Sequence, residues 1–350
     1  MEGHRQGDEV ILGGDARQRL YDARGYGRPT DDGGIALAPV EAAHLLYRGE
    51  IASVDGQGFP AFIADASGAD GEDLVARFLV YADLRERGFY LARPDVASAS
   101  VPAQTDFVVF ERGAGPPDGA VAYALRVVGE RSTVDAASLG DVVLAVVDEE
   151  SEVTYFETDR PSVEGSSSFT PPHLEGTLLS ERVVTWDPPD PLYHRGFYGR
   201  PLGGREETGI EALQLSLVEA AYLVDRGSLS LEAGADAVLE RGRAVEGDRF
   251  DRRLAVYSAL REAGTVPKTG FKFGADFRVY GTVENVESLG HSEQLVRVIP
   301  ADHHFHPRDL ALDVRLAGGV RKQMVFALVA DGSQIVSEDI TWISVGRLTP

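Results

Sequence analysis

The chain has no cysteine among its 350 residues, which excludes disulfide bonds, zinc–thiolate sites and cysteine nucleophiles. No apolar segment is long enough to span a bilayer, and the N-terminus is polar. We therefore expect neither membrane contact nor export, and predict a cytoplasmic protein. Hydrophobic residues still make up 43% of the chain, so several domains with sizeable cores are expected.

Lysine is scarce too: the only three are Lys268, Lys272 and Lys322, and the other basic residues are arginines. Acidic residues outnumber basic ones by 56 to 34, and the net charge of −22 would ordinarily repel a polyanion. This composition resembles that of proteins from salt-accumulating archaea, whose negative, hydrated surface stays soluble in concentrated salt. The acidity then suits the solvent rather than the ligand, and each lysine becomes a candidate functional residue. An ordinary acidic protein is the alternative, but it would keep more lysines.

Four sequence blocks recur in the same order in both halves of the chain. The matching pairs are 20–29 with 192–201, 40–43 with 218–221, 80–85 with 256–261, and 106–110 with 276–280. The offsets drift between 170 and 178 residues, as loop insertions would produce. A stretch rich in Ser, Pro and Gly at 161–172 has the composition of a linker. We therefore predict two homologous tandem repeats.

Within each repeat the hydrophobic pattern changes from helical to alternating. A period of 3.6 predicts helices that begin near residues 40 and 218, and further helices at 73–87 and 251–263. A period of two predicts strands in the second repeat at 277–280, 295–299, 312–316, 323–329 and 340–345, with a hairpin turn at Asp331 and Gly332.

The predicted fold class is therefore α/β (α+β), with a helical N-terminal module followed by a mixed-sheet C-terminal module in each repeat. The expected module boundaries are 1–90, 91–165, 166–265 and 266–350.

Three polar residues are present in the second repeat alone. Tyr280, His291 and Lys322 lie opposite Phe110, about Ala120 and about Gly140 of the first repeat. Taken singly, each has a structural interpretation: a strand-end core tyrosine, a turn histidine and a lysine in a solvated basic turn. Their joint absence from the first repeat favours a chemical role.

The segment 268–280, with His291 and Ser292 and then residues 321–327, resembles the catalytic region of archaeal tRNA-splicing endonucleases. The tandem layout is similar to the form of that family in which one chain carries two fused repeats and pairs as a homodimer. The resemblance implies nuclease-like C-terminal modules, of which the first is inactive. It also implies intron-containing pre-tRNA with a bulge-helix-bulge as the substrate, and no cofactor.

The resemblance assigns Tyr280 as general base, His291 as general acid and Lys322 as the charge that stabilises a pentacoordinate phosphorane. These residue types suit metal-independent cleavage by a neighbouring 2′-hydroxyl. Imidazole titrates near neutral pH and is a natural acid. A phenol ionises only near pH 10, so a nearby ammonium that favours the phenolate is a plausible companion. The expected products are a 2′,3′-cyclic phosphate and a 5′-hydroxyl.

The resemblance also implies a pair of arginines that hold a flipped bulge base by cation–π stacking. Arg315, placed on the predicted strand at 312–316, and Arg347 are the candidates, with ordinary surface arginines as the alternative. Lys268, Lys272 and Arg278 could bind phosphates or could order the loop before the strand. Trp342 is expected in the core.

A histidine-rich segment, His303, His304 and His306 beside Asp302, invites a metal-site interpretation. It precedes Pro307 in a polar loop, and the implied reaction needs no metal. We therefore predict a surface loop and no metal site.

The resemblance also implies a role for the inactive repeat: one of its acidic loops docks on the catalytic repeat of a second chain. Asp118, Asp135 and the segment Asp148, Glu149 and Glu150 are the candidates, and the sequence does not choose among them.

Three other functions remain open: an inactive RNA-binding or assembly subunit, a structural protein without RNA affinity, and a metal-dependent nuclease. Loss of activity in EDTA would identify the last.

Overall fold

The computed structural model describes residues 1–67, 74–97, 100–203, 209–330 and 337–350. The first repeat opens with a five-stranded sheet of order β3-β4-β2-β1-β5, covered by helices. Its strands are β1 (Glu2–Gln6), β2 (Glu9–Leu12), β3 (Arg28–Pro29), β4 (Ile35–Leu37) and β5 (Ser53–Val54). Its helices are α1 (Pro39–Tyr47), α2 (Phe59–Ala66) and α3 (Leu74–Glu86), with a π-helical turn at Arg17–Asp22.

The C-terminal module of the first repeat contributes half of a ten-stranded sheet. Its strands are β6 (Leu91–Ala92), β7 (Phe107–Phe110), β8 (Val121–Gly129), β9 (Val134–Asp135), β10 (Val142–Val147) and β11 (Val153–Asp159). Strand β9 lies outside this sheet and pairs with a strand of the second repeat.

The second repeat has a similar order but adds a helix, α8 (Pro307–Gly319), where the first repeat has only a short turn at Ala136–Ser138. Its N-terminal module has β12 (Leu174–Leu179), β13 (Arg182–Trp186), α4 (Asp190–His194), β14 (Arg200–Pro201), β15 (Ala212–Ser216), α5 (Leu217–Asp225), β16 (Leu229–Leu231), α6 (Asp236–Glu246) and α7 (Asp248–Glu262). Its C-terminal module has β17 (Val266–Thr269), β18 (Phe277–Tyr280), β19 (Gln294–Pro300), β20 (His304–Phe305), α8 (Pro307–Gly319), β21 (Gln323–Val329) and β22 (Ile340–Leu348). The predicted mixed α/β fold of two tandem repeats is confirmed.

The repeated blocks at 40–43 and 218–221 begin corresponding helices in the two repeats. The Glu41 carboxylate accepts a hydrogen bond from the Ala38 backbone at the start of α1, as Glu219 does from Ser216 at the start of α5. Both glutamates are buried. The duplicated Val-Glu-Ala-Ala block is therefore a helix start that is packed inward.

The duplicated aspartates fasten each long helix to the large sheet. Asp276 accepts hydrogen bonds from Arg249 on α7 at 2.5 Å and from the Val298 backbone at 2.9 Å. Asp106 has matching contacts in the first repeat with Arg77 and with the backbone of Val127. This shared packing role explains why the aspartates persist in both repeats.

The ten-stranded sheet has the order β17-β18-β19-β21-β22-β11-β10-β8-β7-β6, so the repeats join where β22 pairs antiparallel with β11. The strand registers of the two repeats make Thr158 in β11 equivalent to Val345 in β22. These two residues are paired with each other across the junction. An approximate two-fold axis passes between them. A core shared by both repeats covers one face of the junction.

Most predicted elements are present, and one is wrong. Helix α7 and strands β18, β19, β21 and β22 match their predictions, and α3 matches the described part of 73–87. The segment 312–316 is part of α8, because Leu310, Val314 and Ala317 form the buried stripe while Leu312 and Leu316 are exposed. Asp331 and Gly332 lie outside the described residues.

Each N-terminal module also contains a sheet that the helical prediction missed, since its strands are only two to six residues long. In the described ranges, no helix combines the length and apolarity needed to cross a membrane.

Candidate active site

The three candidate catalytic residues lie at one end of the large sheet. Tyr280 ends β18, His291 precedes β19 and Lys322 immediately precedes β21. Strand β18 is antiparallel to β19, and β19 is parallel to β21, so this end of β18 meets the beginnings of the other two. Successive partners across the three strands are Val279, Gln294 and Gln323. With strands about 4.8 Å apart, the three backbone positions are gathered within about two strand spacings.

Tyr280 is 6% exposed and packs its ring against Phe197, with the ring centroids 5.8 Å apart. The ring of Tyr280 is therefore part of the core, as its structural interpretation expected. The guanidinium carbon of Arg278, two residues earlier, lies 5.8 Å from the same ring. Tyr280 thus has an apolar neighbour and a cation beside it.

Lys322 is held from two sides at the start of β21. Its backbone N–H donates to Ala317 of α8 at 3.0 Å, and its ammonium donates to the Ser292 carbonyl. Burial, and after it the charge of Arg278, lowers the pKa of the Lys322 ammonium. The short link from helix to strand has a left-handed residue, Arg321, at φ 56°.

His291 is exposed in the loop before β19, next to the buried Ser292 that anchors Lys322. This backbone link places the imidazole-bearing residue directly beside the lysine's partner. The structure therefore ties two of the candidate residues together through one carbonyl.

In the first repeat, the position that corresponds to Lys322 has no room for a side chain. The ladders place Gly140 opposite Lys322, and a Cβ on that glycine would lie 2.7 Å from Arg160. Gly140 also has φ of +92°, where a side chain is strained. A lysine could not be restored there without moving the arginine.

A groove beside this end of the sheet brings both candidate clamp residues next to Lys322. We call it the α8 groove; it is lined by Arg315, Lys322 and Arg347, and by Thr154, Glu157 and Asp159 of the first repeat. Its volume is about 730 Å³, within the range of roughly 300 to 1,000 Å³ typical of ligand sites. Arg315 reaches it from α8, and the strand predicted for this residue is wrong.

Several cations here lack acidic partners despite the acidic chain. In the described ranges, no carboxylate lies within ion-pair distance of Lys272, Arg278, Arg315, Lys322 or Arg347. Arg297 in the same module, by contrast, pairs with Asp313. Unpaired cations gathered at one surface favour an anionic ligand.

Lys268 is different from the other two lysines. Its buried ammonium donates to Glu219 at 2.6 Å and to the carbonyls of Gly199 and Phe197 at 3.0 and 3.1 Å. All three of its hydrogens are used, so Lys268 orders the chain before β18 and is not available to phosphate. Lys272 is exposed on the turn Phe271–Phe273 at the mouth of a neighbouring cleft.

The histidine-rich segment forms β20, which pairs with β9 and links the two repeats. Phe305 is buried against Phe326, with the ring centroids 4.7 Å apart. In the portion of the chain that the structure describes, no three His, Cys, Asp or Glu side chains are placed to hold a metal ion. Trp342 packs against the core of the second repeat.

Two features escaped the sequence analysis. The Glu219 partner of Lys268 lies 49 residues away, although both glutamate blocks were recognised as repeated. Arg278 was considered only for phosphate or loop contacts, although it stands beside Tyr280. The signal that could have found it is the apolar Val108 at the matching position of the first repeat.

Comparison with known proteins agrees with the resemblance. Residues 250–342 match the profile of the tRNA intron endonuclease catalytic C-terminal domain, and residues 1–61 and 174–242 match that of the N-terminal domain. Full-length relatives named tRNA-splicing endonuclease are 59% identical in Haloarcula marismortui, 58% in Natronomonas pharaonis and 55% in Halobacterium salinarum, with 100% of both chains covered. These organisms are haloarchaea, which agrees with the acidic composition. The chain therefore belongs to the tRNA intron endonuclease family and is an endonuclease.

Proposed function

We propose that this endonuclease excises introns from pre-tRNA at bulge-helix-bulge sites, by metal-independent attack of a 2′-hydroxyl. The carrying observation is that the backbone positions of Tyr280, His291 and Lys322 lie at one end of the sheet in the second repeat, while the first repeat has apolar residues or glycine there. A packing role shared by both repeats would not require this difference.

In the proposed reaction Tyr280 accepts the proton of the 2′-hydroxyl as O2′ attacks the adjacent phosphorus. The phosphorus becomes pentacoordinate, and its bond to O5′ then breaks while His291 donates a proton to O5′. The products are a 2′,3′-cyclic phosphate and a 5′-hydroxyl. The ammonium of Lys322 uses one hydrogen on the Ser292 carbonyl and retains two for the oxygens of the phosphorane.

We propose that the α8 groove receives a flipped bulge base between Arg315 and Arg347. Both arginines line the groove, are exposed and have no acidic partner among the described residues. Guanidinium groups stack on base rings and tolerate any base, which suits recognition of a bulge rather than of a sequence. Lys272, on the neighbouring exposed turn, is proposed to contact phosphate.

We further propose a homodimer in which an acidic turn of the first repeat contacts the second chain. Asp118 and Asp135 accept backbone hydrogen bonds within their own turns. Asp148 does the same for the β10–β11 turn, and Glu149 pairs with Arg131. The exposed carboxylate of Glu150 has no partner in the described part of the chain, so this turn is the preferred candidate.

The decisive experiment incubates the protein, in molar KCl with EDTA, with a pre-tRNA that carries a bulge-helix-bulge intron. We expect cleavage at both bulges with cyclic phosphate ends. The cleavage rates of Lys322→Ala and His291→Ala should be reduced at least about 100-fold. Activity that disappears in EDTA would instead indicate a metal-dependent nuclease. A folded protein that binds this RNA without cutting it would be an inactive RNA-binding or assembly subunit.

A further inference from the structure

We propose that Arg278 is a second cation of the active site, which binds the scissile phosphate together with Lys322 and stabilises the charge of its transition state. This inference rests on the function proposed above and adds a fourth residue to its chemistry.

Arg278 lies close to Tyr280 at the same end of the sheet. Arg278 is on β18, two residues before Tyr280, and its guanidinium carbon is 5.8 Å from the centroid of the tyrosine ring. Its backbone pairs with Leu295 on β19, the strand that separates β18 from β21. The guanidinium is therefore at the same end of the sheet as the proposed catalytic residues.

Arg278 and Lys322 are two neighbouring cations without acidic partners among the described residues. After burial, the positive charge of Arg278 is the next cause of the lowered pKa of Lys322, so the two cations are close enough to repel each other. In the described ranges no carboxylate lies within ion-pair distance of either cation. Two cations held together without an acidic partner form an environment that an anion would stabilise.

The guanidinium of Arg278 has unused hydrogen-bonding capacity among the described residues. The Nε of Arg278 is buried and has no hydrogen-bond partner in the described part of the chain. Asp276, two residues earlier in the chain, is already paired with Arg249 and Arg253. No hydrogen bond or ion pair to a described residue uses the guanidinium of Arg278, so its terminal N–H groups are left for a ligand.

The first repeat lacks an arginine at the position that corresponds to Arg278. The offset of 170 residues that relates Tyr280 to Phe110 relates Arg278 to Val108, which is fully buried. Arg278 is therefore replaced by an apolar residue in the same repeat that lacks Tyr280, His291 and Lys322. Asp276, which has a packing role, is retained there as Asp106.

The chemistry of a phosphorane explains two cations. Its non-bridging oxygens carry the negative charge, and a planar guanidinium with parallel N–H donors fits two phosphate oxygens better than an ammonium does. Lys322 and Arg278 would then approach the same phosphate from β21 and from β18, with β19 between them.

The test measures single-turnover cleavage by Arg278→Ala at saturating enzyme, and the Kd for a pre-tRNA with 2′-deoxyribose at the cleavage sites. We expect the rate to fall about 100-fold or more, as for loss of one oxyanion donor, while the Kd changes far less. Guanidinium ion at tens of millimolar should restore part of the rate, whereas urea at the same concentration should not. Arg17→Ala, which removes an exposed arginine from the first repeat, is the matched charge control.

An Arg278→Ala rate equal to that of the unmodified protein would overturn the inference, as would a loss explained by Kd alone without guanidinium rescue. If Arg278→Ala does not fold, Arg278→Met retains the apolar stem and is measured in the same way. Should the unmodified protein fail to cleave, the proposed function itself falls. If it cleaves and Lys322→Ala is slow while Arg278→Ala is normal, only the inference about Arg278 is wrong.

Discussion

The ammonium of Lys268 lies 2.6 Å from the carboxylate of Glu219, inside the boundary between the N-terminal and C-terminal modules of the second repeat. Burial alone would raise the pKa of the Glu219 carboxyl, but Lys268 and the backbone donors of Ser216 and Gly199 lower it below its ordinary value. The first repeat has no lysine, and burial raises the pKa of its matching carboxyl, Glu41. The pair therefore fixes the base of the strand that leads to the proposed active site.

Replacing Lys268 with methionine should destabilise the protein by about 3 to 5 kcal/mol, because it leaves the Glu219 carboxylate buried without its cation. Thermal unfolding followed by circular dichroism in molar KCl measures this. Buried pairs are screened little, so the loss should persist at high salt. The double variant with Glu219→Gln should recover part of it. A Lys268→Met protein as stable as its parent would show that the pair contributes nothing.

Protonation of His44 should weaken the first repeat in mild acid. Burial, and then Arg85 and Arg48, lowers the pKa of His44 to about 4, and its Nδ1 is 3.1 Å from the Tyr26 hydroxyl. The unfolded chain takes up this proton near pH 6.5. The contribution is therefore complete above pH 6.5 and is lost progressively as the pH falls to about 4, to a total of roughly 3 kcal/mol.

Urea unfolding at several pH values and constant salt measures this slope. The variant His44→Tyr is the matched control, since Tyr222 stands at the corresponding position of the second repeat. Its unfolding free energy should depend less on pH between 6.5 and 4 than that of the parent. Equal slopes in the two proteins would contradict the assignment to His44.

If Arg315 and Arg347 stack on a bulge base, either alanine variant should weaken RNA binding by about 0.5 to 2 kcal/mol. The slope of log K against log salt should stay the same, because a stacking contact neutralises no phosphate. Lys272→Ala, by contrast, should reduce that slope by about one. Filter binding to an uncleavable pre-tRNA gives both quantities.

An abasic site at the clamped bulge position provides the control for this prediction. The arginine variants should lose no further affinity for that RNA, since the base they contact is missing. A reduced salt slope for Arg315→Ala would identify it as a phosphate contact instead.

The protein should have twice the 37.7 kDa mass of one chain in molar KCl, as measured by light scattering. Glu150→Arg should shift the population toward the single-chain mass by reversing charge at the proposed contact. Glu175→Arg makes the same change at an exposed strand residue of the second repeat and should leave the mass unchanged. A single-chain mass for the unmodified protein would exclude the homodimer.

The sequence was sufficient for features that depend on local period. The alternation around Tyr280 predicted β18, and the helical stripe before Gly264 predicted α7. It failed at 312–316, because Leu312 and Leu316 are exposed apolar residues and made a helical face look like an alternating strand.

Features set by distant contacts could not be predicted in the same way. The partner of Lys268 is 49 residues away, and the two-residue strands of the N-terminal modules carry too little pattern to be recognised. The α8 groove requires the pairing of β11 with β22 before its lining residues meet. The comparison of the two repeats nevertheless indicated which polar residues to look for.

The pairing of Thr158 with Val345 joins two equivalent halves that are also joined by the peptide chain. Such a contact forms at the same strength however dilute the protein is, because its two sides never separate. The two repeats are therefore present in a ratio of one to one in every molecule.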